Sequence, residues 1–283
     1  MTKYLSLLSL ALVTLWACQG ESTSTNGEQT RGETPTSYDN ADGAATKADR
    51  LPVEVKKISK VSADCQSPDD LCARVELQYP YLAPSVGPLA ESVNEYIRNA
   101  IAQYAESTPG AKLSTEQVAD AFVKEFETLL KNNRDIPSGS ALDVQGEILY
   151  ENDRLLSISL PIYSYVAGAA HPNAETELAS FDKKSGKKMA YEDLFADRAA
   201  LETTIQEQFM QVIKGKTQEA LTLDDFFWGE GFSLPKNFVV KKDSMLFLYN
   251  PYEAAAYVFG DISIELPLED LQKMLKPGIL SSN

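Results

Sequence analysis

Apolar and polar residues alternate along much of residues 51–276 with the period-two spacing of strands. The stretches VEVKKISKVSA and ARVELQYPYL show this alternation near the start of the region. Two longer stretches follow, ALDVQGEILYE and RLLSISLPIYSYV, joined by a tight turn near Asn152 and Asp153. Later come ETELASFD, NFVVKK, MLFLYN and DISIELP. Because side chains alternate between the two faces of a strand, the pattern predicts strands joined mostly by short turns.

Three other segments place apolar residues on one face of a helix. The first is PLAESVNEYIRNAIAQYAE, the second begins at Ser114, and the third spans roughly Arg198 to Lys214. Ser114 and Gln117 have the spacing of a capping box. The predicted inward residues are Leu89, Val93, Tyr96, Ile97, Ala100, Ile101 and Tyr104, then Val118, Ala121, Phe122, Phe126, Leu129 and Leu130, then Leu201, Ile205, Phe209, Val212 and Ile213. We therefore expect an α+β fold in which antiparallel sheets pack with about three helices.

The first 50 residues have a different composition and predict an export signal and a linker. An apolar run over residues 4–17 follows one basic residue, and it is too short to span a bilayer comfortably. This arrangement is typical of a signal peptide over residues 1–17. The run ends in LWAC, which resembles the bacterial lipobox, so we expect Cys18 to carry a lipid that anchors the protein to a membrane. Residues 18–50 are polar and rich in Ser, Thr and Gly, which predicts a flexible, lipidated linker.

The other two cysteines predict a disulfide. Cys65 and Cys72 flank QSPDDL, a turn-forming sequence. In an oxidising compartment, such a close pair favours a bond that staples a loop. Structural zinc takes four ligands, and the chain has no second pair of cysteines or histidines to complete a set. We predict no metal site and no cofactor.

The chain is strongly acidic, which restricts its partners. It has 26 Lys and Arg residues against 41 Asp and Glu residues, a formal net charge of −15 at pH 7. Phosphate backbones would be repelled, so nucleic acid is excluded as an expected partner. A cationic partner would be attracted, although acidity also simply keeps an envelope protein soluble.

The only histidine, His171, lies in the sequence GAAHPN. Small residues and a following proline are typical of a turn, so we predict that His171 lies at a structural corner. An alternative stays open, because Glu175 and Glu177 lie on one face of the next predicted strand and could join His171 around a metal. One imidazole and two carboxylates in loose spacing define no coordination geometry, which favours the structural interpretation.

Motifs of known catalytic chemistry do not emerge. KGKT at residues 214–217 resembles the end of a phosphate-binding loop. Such a loop also has a glycine five residues before Gly215, but that position is Met210, within a predicted helix. We therefore predict a protein without catalytic residues. A hydrolase that uses acidic residues such as Glu175 or Glu253 stays an alternative, since a glycosidase needs only two carboxylates.

Aromatic residues provide the strongest candidates for binding. DDFFWGEGF and YNPYEAAAYVFG contain eight aromatic residues, in predicted loops or at the end of a predicted strand: Phe226, Phe227, Trp228, Phe232, Tyr249, Tyr252, Tyr257 and Phe259. Aromatic side chains with a polar atom are enriched at protein and glycan interfaces, but they also fill the space between helices and sheets. Trp228 and Tyr252 are next to turn residues and are the best candidates for exposure.

Two long stretches resemble a bacterial envelope domain of unknown function. They are YSYVAGAAHPN…ASFDKKSGKKMAYEDLF and FSLPKNFVVKKDSMLFLYNPYEAAAYVFGDISIELP, and residues 51–165 resemble the module usually found ahead of that domain. This pair occurs in the extracytoplasmic part of anti-sigma factors that sense lysozyme, and the first module precedes peptidoglycan (polysaccharide) deacetylase domains. The resemblance implies an N-terminal α+β module over residues 51–165, a C-terminal α+β module over residues 166–283, and a role at the cell wall.

The motifs of the resemblance also indicate candidate site residues. Together with Trp228 from the aromatic loop, the candidate binding residues are Tyr165, His171, Tyr252, Glu253 and Tyr257, and the signature also includes Phe181 and Asp182. The resemblance implies binding or sensing and no catalysis by these modules themselves.

Our hypothesis is a lipid-anchored, non-catalytic binding or sensing module of the cell envelope. Its ligand is a lysozyme-like cationic protein or a peptidoglycan fragment. The alternatives are an envelope hydrolase acting on cell-wall glycan and a purely structural lipoprotein. Gln19 is not the Asp that commonly retains lipoproteins at the inner membrane, which favours the outer membrane if the host is Gram-negative.

Overall fold

A large mixed sheet forms the first half of the fold. The computed structural model describes residues 51–63, 65, 71–105, 112–133 and 135–280. The strands of this sheet are β1 (Val53–Val61), β2 (Ala73–Leu82), β3 (Ser140–Gln145), β4 (Glu147–Glu151), β5 (Leu155–Tyr165) and β6 (Asn173–Asp182). Strand β5 pairs with β3 through its C-terminal residues, with β4 through its N-terminal residues, and with β6 along nearly its whole length.

The α+β class is confirmed, with one parallel pair added to the antiparallel pattern. Strands β2 and β3 run parallel, while the other paired strands of the sheet run antiparallel. Parallel neighbours need a long crossover. The two helices that lie between β2 and β3 in the sequence supply it.

The stretch predicted as one strand over residues 141–151 is divided at Gly146 into β3 and β4. The Gly146 amide donates to Gln78 O at 2.6 Å. A Cβ atom at Gly146 would lie only 2.7 Å from Leu160 Cδ1 and 3.0 Å from Tyr79 Cβ. The chain therefore changes direction at Gly146, where any larger side chain would collide with β2 and β5.

Two helices cover one face of this sheet: α1 (Pro88–Ala102) and α2 (Thr115–Asn132). The predicted capping box is present, because Gln117 N donates to Ser114 Oγ and Ser114 N donates to Gln117 Oε1. The core beneath the helices includes Leu89, Val93, Ile97, Ile101, Val118 and Phe122 from the helices and Leu77, Val144, Leu156, Ile158, Leu160 and Ile162 from the strands. This packing fixes the orientation of β5 and of its neighbour β6.

A smaller antiparallel sheet follows, with β7 (Asn237–Val240), β8 (Ser244–Tyr249) and β9 (Ile262–Pro267). Three further helices accompany it: α3 (Tyr191–Leu194), α4 (Arg198–Lys216) and α5 (Leu268–Leu271). Its core is aromatic. The Phe209 ring of α4 lies 5.2, 5.0 and 5.4 Å from the rings of Phe226, Phe227 and Tyr249. Phe226 and Phe227 are therefore core residues.

The two sheets are connected at strand β6, whose backbone bonds to side chains from the smaller sheet and from the loop after β8. The Asn250 side chain accepts a hydrogen bond from Thr176 N (2.9 Å) and donates one to Thr176 O (3.1 Å). Asn237 Oδ1 accepts from Leu178 N at 3.0 Å. These amide groups occupy backbone positions that a further strand would otherwise pair, and they attach the smaller sheet to the edge of the larger one.

The predicted disulfide between Cys65 and Cys72 is present, with the two Cα atoms 5.5 Å apart. Cys18, the signal peptide and the linker lie outside the described residues. Within the described ranges, no helix is both long enough and apolar enough to span a bilayer. Strands β5 and β6 pair across the boundary predicted at residue 165, and the division into two modules stays a prediction.

Candidate functional site

Four of the candidate residues come together on the surface: His171, Trp228, Tyr252 and Tyr257, which we call the aromatic patch. The His171 ring stacks on the Tyr257 ring, with centroids 3.9 Å apart and planes 23° from parallel. The Tyr252 ring lies 5.6 Å from Tyr257 and 6.2 Å from His171. Trp228 is 61% exposed and Tyr252 is 48% exposed. The patch therefore presents ring surfaces to solvent.

The polar atoms of the patch bond to one another and to nearby backbone. His171 Nδ1 lies 2.9 Å from Pro172 O, which can only accept, so Nδ1 carries a hydrogen. In the neutral imidazole, Nε2 then accepts from Tyr252 Oη at 3.1 Å. Tyr257 Oη also donates to Pro172 O, at 2.9 Å, and Trp228 Nε1 donates to Tyr252 O at 3.0 Å. These bonds fix the rings in place.

The backbone that carries the patch is strained. Phe227, Trp228 and Tyr252 have φ angles of 55°, 57° and 68°. This left-handed conformation costs a residue other than glycine about 1–2 kcal/mol. It permits Phe227 to enter the core while the adjacent Trp228 points outward. Such strain is concentrated at functional sites, because a fold without a use for it would place glycine there.

Glu253 lies below the patch and holds its loop. Its carboxylate accepts hydrogen bonds from Lys236 N at 2.7 Å and from Asn250 N at 3.1 Å. Burial raises the pKa of Glu253, and the two backbone donors partly oppose that rise. Glu253 therefore positions the turn that carries Tyr252, and its carboxylate is not part of the exposed ring surface.

Tyr165 is not brought into the patch. Its hydroxyl lies 3.0 Å from Ser138 Oγ and donates to Ala169 O at 3.3 Å. These bonds close the corner between β5 and β6. Ala169 precedes His171 by two residues, so Tyr165 supports the turn that positions the imidazole.

His171 also borders a groove of about 350 Å³ between α1, α2 and the β5–β6 connection. Within it, Glu175 accepts hydrogen bonds from Gln103 Nε2 (2.9 Å) and from Tyr104 Oη. Glu177 accepts from Tyr96 Oη at 2.6 Å. Burial, with the adjacent carboxylates, raises the pKa of both tyrosines.

These two carboxylates therefore join β6 to α1 and to the two residues directly after it. In the described part of the chain, no three His, Cys, Asp or Glu side chains converge as a metal ion would require. Glu175, Glu177 and His171, which the alternative places around a metal, do not form such a cluster within the described residues.

Sequence reasoning missed the residues that hold the patch together. Asn250 and the carbonyl of Pro172 are its main supports, and neither is of a type that attracts attention as a binding residue. Their roles depend on contacts between segments about 75–85 positions apart, for which a single sequence carries no signal.

Two parts of the chain match known families. Residues 66–174 match "Deacetylase PdaC", and residues 192–269 match "Protein of unknown function (DUF3298)". The chain thus carries one match to each of these two family models. The resemblance seen in the sequence is thereby confirmed, and the pair indicates a module of the bacterial cell envelope.

Solved structures share the fold. A DUF3298 family protein from Pseudomonas aeruginosa PAO1 is 15% identical, with a TM-score of 0.60 over 83% of this chain and 99% of its own. A member of the same family from Bacteroides fragilis is 19% identical, with a TM-score of 0.61 over 80% of this chain and 94% of its own. No curated protein sequence is significantly similar to this chain.

The aromatic patch is assembled from both matched segments. His171 and Pro172 belong to the PdaC segment, whereas Trp228, Tyr252 and Tyr257 belong to the DUF3298 segment. The stacking of His171 on Tyr257 and the bond between His171 and Tyr252 cross between the two. The patch therefore depends on both segments being folded together.

Proposed function

We propose that this protein is a lipid-anchored, non-catalytic binding module of the cell envelope, and that its ligand is a cationic, lysozyme-like protein. The observation that carries the proposal is the aromatic patch, whose Trp228 and Tyr252 rings are exposed while the polar atoms of the patch are bonded internally. Rigid Trp and Tyr rings are the anchors that contribute most to protein interfaces.

The charge of the chain supports a cationic partner. The formal net charge of −15 would steer a basic protein toward the surface. Near the patch, Glu230 is exposed two residues after Trp228 along the chain. Carboxylates at the rim of an aromatic patch favour association with basic side chains and disfavour acidic ones.

The positions of the carboxylates support binding over hydrolysis. A hydrolase that uses acidic residues needs one carboxyl group free to donate a proton at the scissile bond. Glu175 is bonded to Gln103 and Tyr104, and Glu253 is bonded to two backbone amides. Both carboxylates named in the hydrolase alternative are thus used to hold the fold.

Direct binding tests the proposal. The full chain is immobilised, and lysozyme is passed over it at about 0.05 M and about 0.5 M salt, where Debye lengths differ roughly threefold. We expect binding that weakens at high salt and that weakens about tenfold or more in Trp228→Ala, as for an interface anchor. Tyr163→Ser, which removes an exposed aromatic ring outside the patch, is the matched control and should bind as the wild type does.

Three results would contradict the proposed site, ligand or non-catalytic role. Unchanged binding by Trp228→Ala would remove the patch from the interface. Binding of a muropeptide with no binding of lysozyme would replace the protein ligand with a peptidoglycan fragment. Turnover of that muropeptide by the wild type, lost in Glu175→Gln or Glu253→Gln, would establish the hydrolase alternative.

The anchor is tested separately. Cells that express the protein are fed an alkyne-labelled fatty acid, and label should appear on the wild type and be absent from Cys18→Ala. Equal labelling of the two proteins would place the lipid elsewhere.

A further inference from the structure

A second groove, of about 420 Å³, lies on the face of the large sheet opposite α1 and α2. Ile162 points into the core beneath the helices, so the next residue, Tyr163, points to the other face. Tyr163 is 43% exposed and lies in register between Asp143 of β3 and Ala174 of β6. The volume of the groove falls within the range of about 300–1,000 Å³ that is typical of small-ligand sites.

Several polar groups in this groove have unused hydrogen-bonding capacity. Within the described residues, neither the Tyr163 hydroxyl nor the Asp261 carboxylate has a hydrogen-bond or ion-pair partner. One oxygen of Asp143 accepts from Gln145 Nε2 at 2.9 Å, and its other oxygen has no partner in the same ranges. This contrasts with the aromatic patch, in which the polar atoms are already bonded.

The lining selects the charge of a ligand. Asp143 and Asp261 line the groove, and none of its described lining residues is Lys, Arg or His. Glu175 also borders it, but the Glu175 carboxylate is engaged by Gln103 and Tyr104. An anionic ligand would be repelled, while hydroxyl and ammonium donors would match the available acceptors.

The shape of the lining favours a sugar over a peptide. Peptides commonly bind by adding a strand to a sheet edge. This groove lies on a sheet face, where β5 is paired with β3 and with β6 and the Asn250 side chain bonds to both backbone groups of Thr176. The apolar surface consists mainly of the Tyr163 ring and the small residues Ala174 and Pro161. A flat exposed ring fits the C–H face of a pyranose, and it attracts a nearby ammonium group.

We propose that the groove around Tyr163, Asp143 and Asp261 binds an oligosaccharide that carries free amino groups. The sugar ring stacks on Tyr163, and its ammonium and hydroxyl groups donate to the two carboxylates. This site is separate from the aromatic patch, since the two share no residue, and the proposal does not depend on the protein ligand proposed above.

Calorimetric titration of the full chain tests this inference with three probes. They are a glucosamine tetramer, an N-acetylglucosamine tetramer that differs only in its acetyl groups, and tetralysine. We expect the glucosamine tetramer to bind more tightly than either of the others. Asp261→Asn should weaken its binding about threefold to fivefold, as for a partly solvated charge pair, and Tyr163→Ser should weaken it further.

Two control variants isolate the site. Asp153→Asn removes the same charge from an exposed position in the β4–β5 turn and should leave binding unchanged. Trp228→Ala alters only the aromatic patch and should also leave it unchanged. The two sites are separate if Trp228→Ala loses lysozyme binding but keeps binding of the glucosamine tetramer, and if Tyr163→Ser loses binding of the tetramer but keeps lysozyme binding.

Three results would overturn the inference. No binding of the glucosamine tetramer would remove the site. Equal binding of the acetylated tetramer would show that the carboxylates do not select an ammonium group. Equal binding of tetralysine would reduce the effect to general attraction of cations by an acidic surface.

Discussion

Replacing Gly186 with Ala would test whether the turn after β6 packs against the start of α1. Gly186 has a φ of 72°, and a Cβ atom added to it would lie 2.6 Å from Pro88 O and 2.9 Å from Leu89 N. The left-handed conformation costs a non-glycine residue about 1–2 kcal/mol, and overpacking costs about 1–3 kcal/mol. The reduced entropy of the unfolded chain offsets about 0.4–1 kcal/mol. We therefore expect the free energy of unfolding to fall by about 2–4 kcal/mol.

Equilibrium unfolding in urea measures this loss, and two other glycines provide controls. Gly168 also has a positive φ, 88°, but a Cβ there would meet no atom within 4 Å, so Gly168→Ala should cost only about 1 kcal/mol. Gly215 lies in α4 with open space around it, so Gly215→Ala should stabilise the protein by about 0.5–1 kcal/mol. If Gly186→Ala costs no more than Gly168→Ala, the turn is not packed against α1 and the reasoning fails.

Two further predictions concern pH and the disulfide. Burial raises the pKa of Glu253, so its contribution to stability is full below the unfolded-state pKa and is lost as the pH rises through the folded-state pKa. Glu253→Gln should therefore gain in unfolding free energy relative to the wild type between about pH 4 and about pH 7, and a constant or shrinking difference would contradict this. Replacing Cys65 and Cys72 together by Ser should lower the unfolding free energy by about 2–3 kcal/mol, as loop closure predicts. An unchanged urea midpoint in that variant would show that the crosslink does not constrain the unfolded chain.

The elements of the fold could be predicted from sequence because their signals are local. The helix that begins after Ser114 is marked by a capping box within four residues, and the strands are marked by alternation. The break at Gly146 and the parallel pairing of β2 with β3 could not be predicted in this way. Both depend on which strands become neighbours, and alternation within a strand does not specify its partner.

The candidate site was predictable residue by residue but not as an arrangement. Trp228, Tyr252 and His171 were each identified by type and local setting, yet Phe227 and Trp228 are adjacent and have opposite environments. Their difference arises from left-handed backbone angles that the sequence FFWG does not reveal. Tyr163 and Tyr165 are a second example, because they lie on the same strand and differ in exposure. Tyr165 is the less exposed of the two and is bonded to Ser138 and Ala169, which its position in the sequence does not reveal.

The structure separates the sequence signature into two kinds of residue. Asp182 accepts hydrogen bonds from the backbone and hydroxyl of Ser185, which shapes the turn that brings Gly186 against α1. These bonds lower the pKa of Asp182 and leave its carboxylate little freedom to act on a ligand. Tyr252, by contrast, keeps an exposed ring at the cost of a strained backbone. An exposed ring on a strained backbone is a candidate for binding, whereas a carboxylate whose hydrogen bonds close a turn supports the fold.

Because of where the aromatic patch lies, a ligand bound there would stabilise the contact between the two sheets. Tyr257 bonds to Pro172, and Asn250 bonds to Thr176, so the loop after β8 is attached to β6 and to the turn before it by a few hydrogen bonds. A ligand that covers His171 and Tyr252 together can bind only when these contacts are formed. It therefore stabilises the joined arrangement by mass action, by an amount that grows with the logarithm of the ratio of ligand concentration to Kd. In this way occupancy of an exposed patch is coupled to how firmly the two sheets hold together.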